Sequence, residues 1–211
     1  MTPNNILNMS MLNELDFISI TDHNSTKQLK IIEELQESYD FVVIPGVEVS
    51  VLEGFDVLCY FRNFEDAKMF NKFLEPRLNG SWKSYTKEDQ VITDIYDMTL
   101  DEFDVPLTST DIPYAQLVKE VRRLDGALVL AHVNRPSCTP IGVYDLDSID
   151  FDGIEIQPYK KDEYLEANGY LNKYKILSNS DSHTLLTIFE KDQYLELEEK
   201  TIEAFFAYLK G

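Results

Sequence analysis

The sequence predicts an α/β fold, in which short buried strands alternate with amphipathic helices. Apolar runs such as "FISI", "ALVLAHV" and "YKILSNS" are short and continuous, which is typical of buried strands. Segments with apolar residues at helical spacing lie between them. At 211 residues, 44% of them hydrophobic, the chain can form a single domain over residues 1–211. We expect a β/α barrel or a doubly wound sheet, with chemistry at the carboxyl ends of the strands.

The first part of the chain alternates helices and strands. Thr2 and Pro3 provide an N-cap and a first-turn proline for an opening helix. "FISI" is the first strand, and Ser25 with Gln28 has the spacing of a capping box for the second helix. "FVVIPGVEVS" and "FDVLCYF" are the next strands, and "FEDAKMFNKFL" is the third helix.

Between about residues 75 and 113 the periodicity weakens, and we interpret this range as an irregular excursion from the core. Long loops over a barrel often cover the site, which makes Trp82, Lys83, Tyr85 and Lys87 candidates for contacts above it. A solvated loop with one anchoring aromatic ring is the simpler interpretation of these residues.

Regular alternation resumes after the excursion. "YAQLVKEVRRLDG" is a predicted helix with Gly126 as its expected C-cap. "ALVLAHV", "FDGIEIQ" and "YKILSNS" are apolar runs of the kind found in buried parallel strands. "TIEAFFAYLK" is an amphipathic helix at the end of the sequence.

The charge and composition limit the expected partners. The net charge is -19, from 38 acidic and 19 basic residues, and it disfavours the long basic groove of a nucleic-acid binder. We therefore expect a small phosphorylated substrate and no long nucleic acid, because local cations can override the global field at a small site. Cys59 and Cys138 do not make a disulfide framework. The sequence has neither a membrane-length apolar run nor a signal peptide, so we expect no membrane partner and a cytoplasmic protein.

The placement of the histidines is the main functional signal. The sequence contains three, and His23, His132 and His183 each follow the carboxyl end of a predicted strand. A single histidine there is unremarkable, but three of three are hard to attribute to chance. Since the carboxyl ends of parallel strands meet at one edge of a sheet, we expect the imidazoles to converge.

Carboxylates also lie near the carboxyl ends of the predicted strands. Asp22 precedes His23, Asp181 lies two residues before His183, and Glu48 ends the apolar run "IPGVEV". Imidazole and carboxylate together bind Zn, Mn or Fe ions, and ligands from several strands can form one site. Simpler interpretations stay open, because Asp22 also suits a turn or N-cap and Glu48 suits a loop mouth. The sequence has no G-x-S-x-G elbow, phosphate-binding loop or dinucleotide fingerprint.

Four motifs, "ISITDHNS", "IPGVEVS", "LAHVNRPS" and "SNSDSH", resemble in their order and spacing the PHP (polymerase and histidinol phosphatase) superfamily. The resemblance covers essentially the whole chain and is closest to small bacterial metal-dependent phosphoesterases. It implies a distorted seven-stranded β/α barrel with a cluster of two or three metal ions at the carboxyl ends of the strands. The metal ligands that it implies are His23, Glu48, His132, Asp181 and His183.

Three further residues have expected roles through the same resemblance. Asp22 would be a site residue beside the ligands. Arg135 would contact the substrate phosphate, since a guanidinium suits phosphate, although a surface arginine is an equally good interpretation. Asp56 stands where the family usually has histidine; aspartate also binds metal and prefers harder ions such as Mn.

The sequence departs from the family at its start. PHP domains open with a strand that carries a His-x-His motif, and this sequence has none; residues 1–5 resemble the start of the helix that follows that strand. We expect a barrel without its first strand and two of its ligands. Such a site should bind Mn, Zn or Fe more weakly than is normal for the family, at less than full stoichiometry. The missing strand would also leave sheet edges exposed.

Three functions follow from these observations. The leading one is a phosphoesterase that uses metal-activated water on a nucleotide, a sugar phosphate or an oligonucleotide end. The second is a metal-poor, non-catalytic PHP scaffold that binds a nucleotide or a protein. A third, a metal-free barrel enzyme with carboxylate acid/base chemistry, leaves the histidine placement unexplained.

Overall fold

The computed structural model describes residues 1–78, 90–103 and 110–211, and it has a mixed α/β fold as predicted. The described helices are α1 (Pro3–Leu12), α2 (Leu29–Gln36), α3 (Phe64–Leu74), α4 (Tyr114–Arg123), α5 (Lys161–Ala167) and α6 (Ile202–Lys210). The described strands are β1 (Phe17–Ile18), β2 (Val42–Val43), β3 (Gly46–Ser50), β4 (Asp56–Tyr60), β5 (Gln90–Thr93), β6 (Thr99–Phe103), β7 (Ala127–Leu130), β8 (Gly153–Glu155) and β9 (Ile176–Leu177). Trp82, Lys83, Tyr85 and Lys87 lie outside the described residues.

A five-stranded mixed sheet with the order β3-β4-β7-β8-β9 forms the centre of the fold. As predicted, β7, β8 and β9 are parallel to one another. β1 and β2 form a parallel pair, which approaches β3 through an isolated bridge between His23 and Glu48. Within the described ranges the strands make three separate sheets and do not close into the barrel that the resemblance implies.

β4 departs from the regular β/α alternation, because it runs antiparallel to both β3 and β7. Only residues 51–55 separate β3 from β4, and a parallel connection needs a crossover of about a dozen residues. The reversal puts Asp56, the first residue of β4, opposite Ser50 at the end of β3. Asp56 therefore lies at the same edge of the sheet as the carboxyl ends of β3 and β7.

The two faces of the sheet are covered by different helices. Val57 and Cys59 of β4 point to a core cluster that includes buried residues of α2, α3 and α4. Leu58 and Tyr60 alternate with them and belong to a second cluster with α6. Asp56 shares the α6 face by the same alternation, but lies at the opposite end of the strand from Tyr60.

Helix α6 packs closely against this second face. The rings of Tyr60 and Phe205 meet edge to face with centroids 5.4 Å apart. A Cβ atom at Gly153 would lie 3.2 Å from the Leu209 Cδ2 atom and 3.0 Å from the Lys175 carbonyl oxygen, so glycine permits this close approach. The helix thus covers the apolar part of the face and leaves the carboxyl ends of the parallel strands to polar residues.

The predicted start of α1 is confirmed, whereas the predicted capping box at the start of α2 is wrong. The Thr2 side chain caps α1 and accepts a hydrogen bond from the Asn5 amide at 3.5 Å. Gln28 cannot complete a capping box, because its buried side chain bonds both the amide and the carbonyl of Thr93, each at 3.0 Å. Those bonds attach the β5–β6 hairpin, a regular element within the predicted excursion, to the start of α2.

Gly126 is not the C-cap of α4, which is Leu124. A Cβ atom at Gly126 would lie 2.8 Å from the carbonyl oxygen of Tyr60 and 2.7 Å from Val121 Cγ1. The glycine is therefore required by the close approach of β4 to the turn between α4 and β7. No helix in the described part of the chain combines the length and apolar character needed to cross a bilayer.

Truncation of Phe206 tests the packing of α6. Phe206 is fully buried, and the Arg62 guanidinium carbon lies 4.5 Å from its ring centroid. We expect Phe206→Ala to lower the free energy of unfolding by about 3–5 kcal/mol, as is usual for a buried phenylalanine. Urea denaturation measures this loss. Leu186→Ala is the control, because Leu186 is 92% exposed and should change the stability by less than about 0.5 kcal/mol. Equal effects of the two substitutions would contradict the packing of α6 against the sheet.

Candidate metal centre

Glu48, Asp56 and His132 meet at one edge of the central sheet and are called here the carboxylate–imidazole cluster. The His132 Nε2 atom lies 3.2 Å from Glu48 Oε1 and 3.5 Å from Asp56 Oδ2. One donor atom from each residue falls within 4.8 Å of the others, and all three residues are buried. Glu48 lies on β3, Asp56 begins β4, and His132 follows the end of β7 by two residues. The reversal of β4 therefore brings the three together.

Neighbouring side chains hold the carboxylates in position. Ser50 Oγ donates a hydrogen bond to Asp56 Oδ1 at 2.5 Å. The Ser50 amide in turn donates to Asn24 Oδ1 at 3.0 Å, and the Asn24 amide donates to the Glu48 carbonyl oxygen at 2.8 Å. These bonds tie the segment after β1 to β3, on which Glu48 lies.

Glu155 is a supporting residue that the sequence analysis missed. It is buried on β8, and its Oε2 atom accepts a hydrogen bond from the His132 amide at 2.9 Å. Its Oε1 atom accepts one from Asn179 Nδ2 at 2.6 Å. Burial raises the pKa of the Glu155 carboxyl, and the two hydrogen bonds oppose that shift. The signal in the sequence was a single charge within the apolar run "FDGIEIQ".

The backbone and the ionisation of His132 are both unusual. Its φ of 30° lies in the left-handed region, which costs energy for a residue other than glycine. Burial by itself lowers the pKa of the imidazole, but hydrogen bonds with Asp56 and Glu48 outweigh that effect and raise the pKa to about 9. In the absence of a metal ion, the protonated ring is the cation that compensates the two buried carboxylates.

His23 lies at the exposed margin of the cluster. Its Nε2 atom is 3.7 Å from Glu48 Oε2, and 36% of its side chain is exposed. The Asp22 carbonyl oxygen accepts a hydrogen bond from the Glu48 amide at 3.3 Å. Burial raises the pKa of the Asp22 carboxyl, whereas the nearby His23 opposes that shift. Both predicted residues are therefore near Glu48.

The other predicted residues form a separate group around Asp181. Arg135 and Gln157 both bond the Asp181 Oδ2 atom, the latter at 3.0 Å. The His183 Nδ1 atom lies 3.0 Å from the Asp181 carbonyl oxygen, and the side chain is 65% exposed. The rings of His23 and His183, with centroids 6.1 Å apart, connect this group to the cluster. The structure thus brings the predicted residues to one region but does not place them all around a single point.

The carboxylate–imidazole cluster fits a divalent metal ion. A four-coordinate ion with bonds of about 2.1 Å holds its donors about 3.4 Å apart, which is near the spacing of the His132 nitrogen from its two carboxylate oxygens. His23 Nδ1, His132 Nδ1 and Ser182 Oγ are buried without a hydrogen-bond partner among the described residues. The two Nδ1 atoms are not the ring atoms that face the carboxylates, since Nε2 of each ring approaches Glu48.

Neither a family model nor a curated protein matches the sequence. Solved structures do match in fold. The lesion-specific endonuclease PfuEndoQ from Pyrococcus furiosus has a TM-score of 0.69 at 15% identity, over 100% of this chain and 51% of that chain. A candidate metal-dependent phosphoesterase from Bifidobacterium adolescentis has a TM-score of 0.57 at 14% identity, over 87% and 83% of the two chains. An amidohydrolase from Chromobacterium violaceum, with bound sulfate and no metal, has a TM-score of 0.59 at 15% identity, over 87% and 82%. At these identities the similarities show a shared fold.

One comparison corrects the expected partners. Endonuclease Q in complex with a 27-mer duplex that carries an abasic lesion has a TM-score of 0.66 at 15% identity, over 100% of this chain and 52% of that chain. This chain thus spans about half the length of the endonuclease chains that it matches. The exclusion of a long nucleic acid was wrong, because a protein of similar fold binds a duplex. Net charge is a sum over the whole surface and does not determine the local field at a site.

The raised pKa of His132 predicts how the stability of the metal-free protein depends on pH. Because the folded-state pKa is about 9 and the unfolded value about 6.5, the stabilisation is complete below pH 6.5 and is lost as the pH rises through 9. We expect the free energy of unfolding to fall by up to about 3 kcal/mol over this interval, at about 1.4 kcal/mol per pKa unit.

Urea denaturation in EDTA at several pH values measures this effect. His132→Asn is the matched control, since asparagine does not titrate and other groups contribute equally to both proteins. A wild-type curve that runs parallel to that of His132→Asn would contradict the assigned ionisation of His132.

Proposed function

We propose that this chain is a metal-dependent phosphoesterase whose reaction takes place at the carboxylate–imidazole cluster. The observation that carries the proposal is the convergence of Glu48, Asp56 and His132 at one edge of the sheet. The fold similarity to proteins described as a phosphoesterase and an endonuclease supports a hydrolase, and the four PHP motifs support a phosphate ester as its substrate.

The residues of the cluster would hold a Mn, Zn or Fe ion, with His23 as a further ligand at the exposed margin. Such an ion would act as a Lewis acid and would lower the pKa of a coordinated water. Ser50 would orient the Asp56 carboxylate through its 2.5 Å hydrogen bond. Glu155 would fix the backbone at His132, whose proton must leave before the imidazole can bind metal.

The Asp181 group would complete the site. Asp181 and His183 remain candidate ligands for a second ion, and the 6.1 Å between the His23 and His183 rings supports that assignment. Arg135, which is partly exposed, would contact the substrate phosphate. Asp22 remains a candidate site residue, because burial favours its protonated form beside His23.

The substrate would be a phosphate ester of a nucleotide, a sugar or a nucleic acid. Nucleic acid belongs in this set because the lesion-specific endonuclease matches 100% of this chain. This chain covers 51% of that endonuclease, so the substrate range of the whole endonuclease is not carried over to this chain.

A non-catalytic scaffold is the second candidate function. The observation that favours it is the ion pair between Arg135 and Asp181, which engages a predicted ligand. Such a protein would bind a phosphorylated ligand without hydrolysing it.

Metal analysis and hydrolysis together test the proposed function. We expect the purified chain, loaded with Mn and freed of excess metal, to retain about one equivalent and to hydrolyse bis(p-nitrophenyl) phosphate. Glu48→Gln should lower both metal affinity and turnover by at least about 100-fold, because it removes a ligand charge. Glu102→Gln, at an exposed position of β6, is the matched control and should behave like wild type. Retained metal without hydrolysis would refute the esterase activity and leave the metal site, and no metal would refute both and favour the metal-poor scaffold.

Asp56→His tests the assignment of Asp56 as a ligand. Imidazole favours Zn, whereas carboxylate favours Mn, so the substitution should raise the ratio of Zn to Mn affinity by at least about tenfold. Competition binding with a metal-chelating dye measures the ratio. Asp56→Asn, which removes the charge, should instead weaken the binding of both ions. An unchanged ratio in Asp56→His would exclude Asp56 from the set of ligands.

A further inference from the structure

Asp181 is the predicted carboxylate ligand whose cationic partner is an arginine of the protein. The Arg135 guanidinium bonds its Oδ2 atom, and Gln157 Nε2 donates to the same oxygen at 3.0 Å. Only 11% of the Asp181 side chain is exposed. A carboxylate so buried requires a compensating charge, and in this state Arg135 provides it.

The two partners of Asp181 differ in how firmly they are held. The Gln157 backbone is fixed by a reciprocal pair of hydrogen bonds with the Asn134 side chain, both at 3.0 Å. The Arg135 amide bonds the His132 carbonyl oxygen at 2.9 Å, but 36% of its side chain is exposed. Gln157 is thus tied to its neighbours through its backbone, and the partly exposed Arg135 side chain is the partner that we expect to leave Asp181.

Arg135 also connects the two halves of the site along the chain. It follows His132 of the carboxylate–imidazole cluster by three residues and pairs with Asp181 of the other group. A cation bound at Asp181 would repel the guanidinium, because one carboxylate cannot fully compensate two adjacent positive charges.

We propose that Arg135 is an internal cation that pairs with Asp181 until a metal ion takes its place, and that the displaced Arg135 then binds the phosphate of the ligand. This inference rests on the proposed function and adds a coupling between its two binding events. Metal ion and Arg135 compete for Asp181, so Arg135 weakens metal binding. By linkage, metal and phosphate each strengthen the binding of the other.

Calorimetric titration of the 211-residue chain with Mn²⁺ tests the competition. Arg135→Gln removes the charge and keeps a polar side chain of similar length, and it should bind Mn²⁺ at least threefold more tightly than wild type. In an Asp181→Asn background the same substitution should have no effect, which isolates the pairwise interaction. Arg123→Gln, which removes one positive charge from the exposed side of α4, is the control for net charge and should match wild type.

Titration with inorganic phosphate, with and without saturating Mn²⁺, tests the coupling. In wild type we expect Mn²⁺ to raise phosphate affinity at least fivefold, and in Arg135→Gln the increase should be at least threefold smaller. Arg135→Lys keeps the charge without the planar fork and should lie between the two, which provides a second variant if Arg135→Gln folds poorly.

The outcomes separate this inference from the proposed function. Equal or weaker Mn²⁺ binding by Arg135→Gln, or undiminished coupling to phosphate in that variant, would overturn the role of Arg135 and leave the metal site intact. Absence of Mn²⁺ binding in wild type and in every variant would overturn both proposals.

Discussion

The reversal of β4 is the constraint on which the candidate site depends. A connection as short as residues 51–55 permits only an antiparallel return, so the first residue of β4 lies where its antiparallel neighbours β3 and β7 end. This puts Asp56 beside Ser50 and within reach of His132. In a regular β/α alternation the start of a strand would lie at the far edge of the sheet, and this carboxylate would be absent from the cluster.

Several carboxylates are buried at one end of the sheet face that α6 covers. Most of the polar contacts there balance their negative charge or satisfy their oxygens. His132 pairs with Glu48 and Asp56, Arg135 pairs with Asp181, and Asn179 with the His132 amide satisfies Glu155. Buried charges without partners are strongly destabilising, so each carboxylate has a donor in the metal-free state. Under the proposed function, a metal ion that binds here would replace protein cations and would not enter an empty site, so metal loading would be linked to loss of the His132 proton.

Sequence patterns predicted the parts of the molecule that depend on local physics. Short motifs predicted the proline start of α1 and the parallel strands β7 to β9. They also predicted that His23 and His132 lie near Glu48. The missed features depend on contacts between distant segments. The Gln28 side chain bonds Thr93 and does not cap α2. Gly126 allows the close approach of the Tyr60 carbonyl oxygen. The partner of Asp181 is an arginine 46 residues away. No local window contains both members of such pairs, so periodicity and capping rules could not identify them.

Helix α6 covers the same face of the sheet on which the cluster lies, and this has a consequence for biosynthesis. Strands β4 and β7 leave the ribosome before residues 202–210, yet Phe205, Phe206 and Leu209 of that late segment belong to the cluster that buries the apolar half of their shared face. Until that segment is made, Leu58, Tyr60 and Val129 lack its apolar contacts, and apolar surface left exposed in this way favours aggregation. Because contacts between segments so far apart in the sequence form slowly, we expect this face of the sheet to pack late in folding.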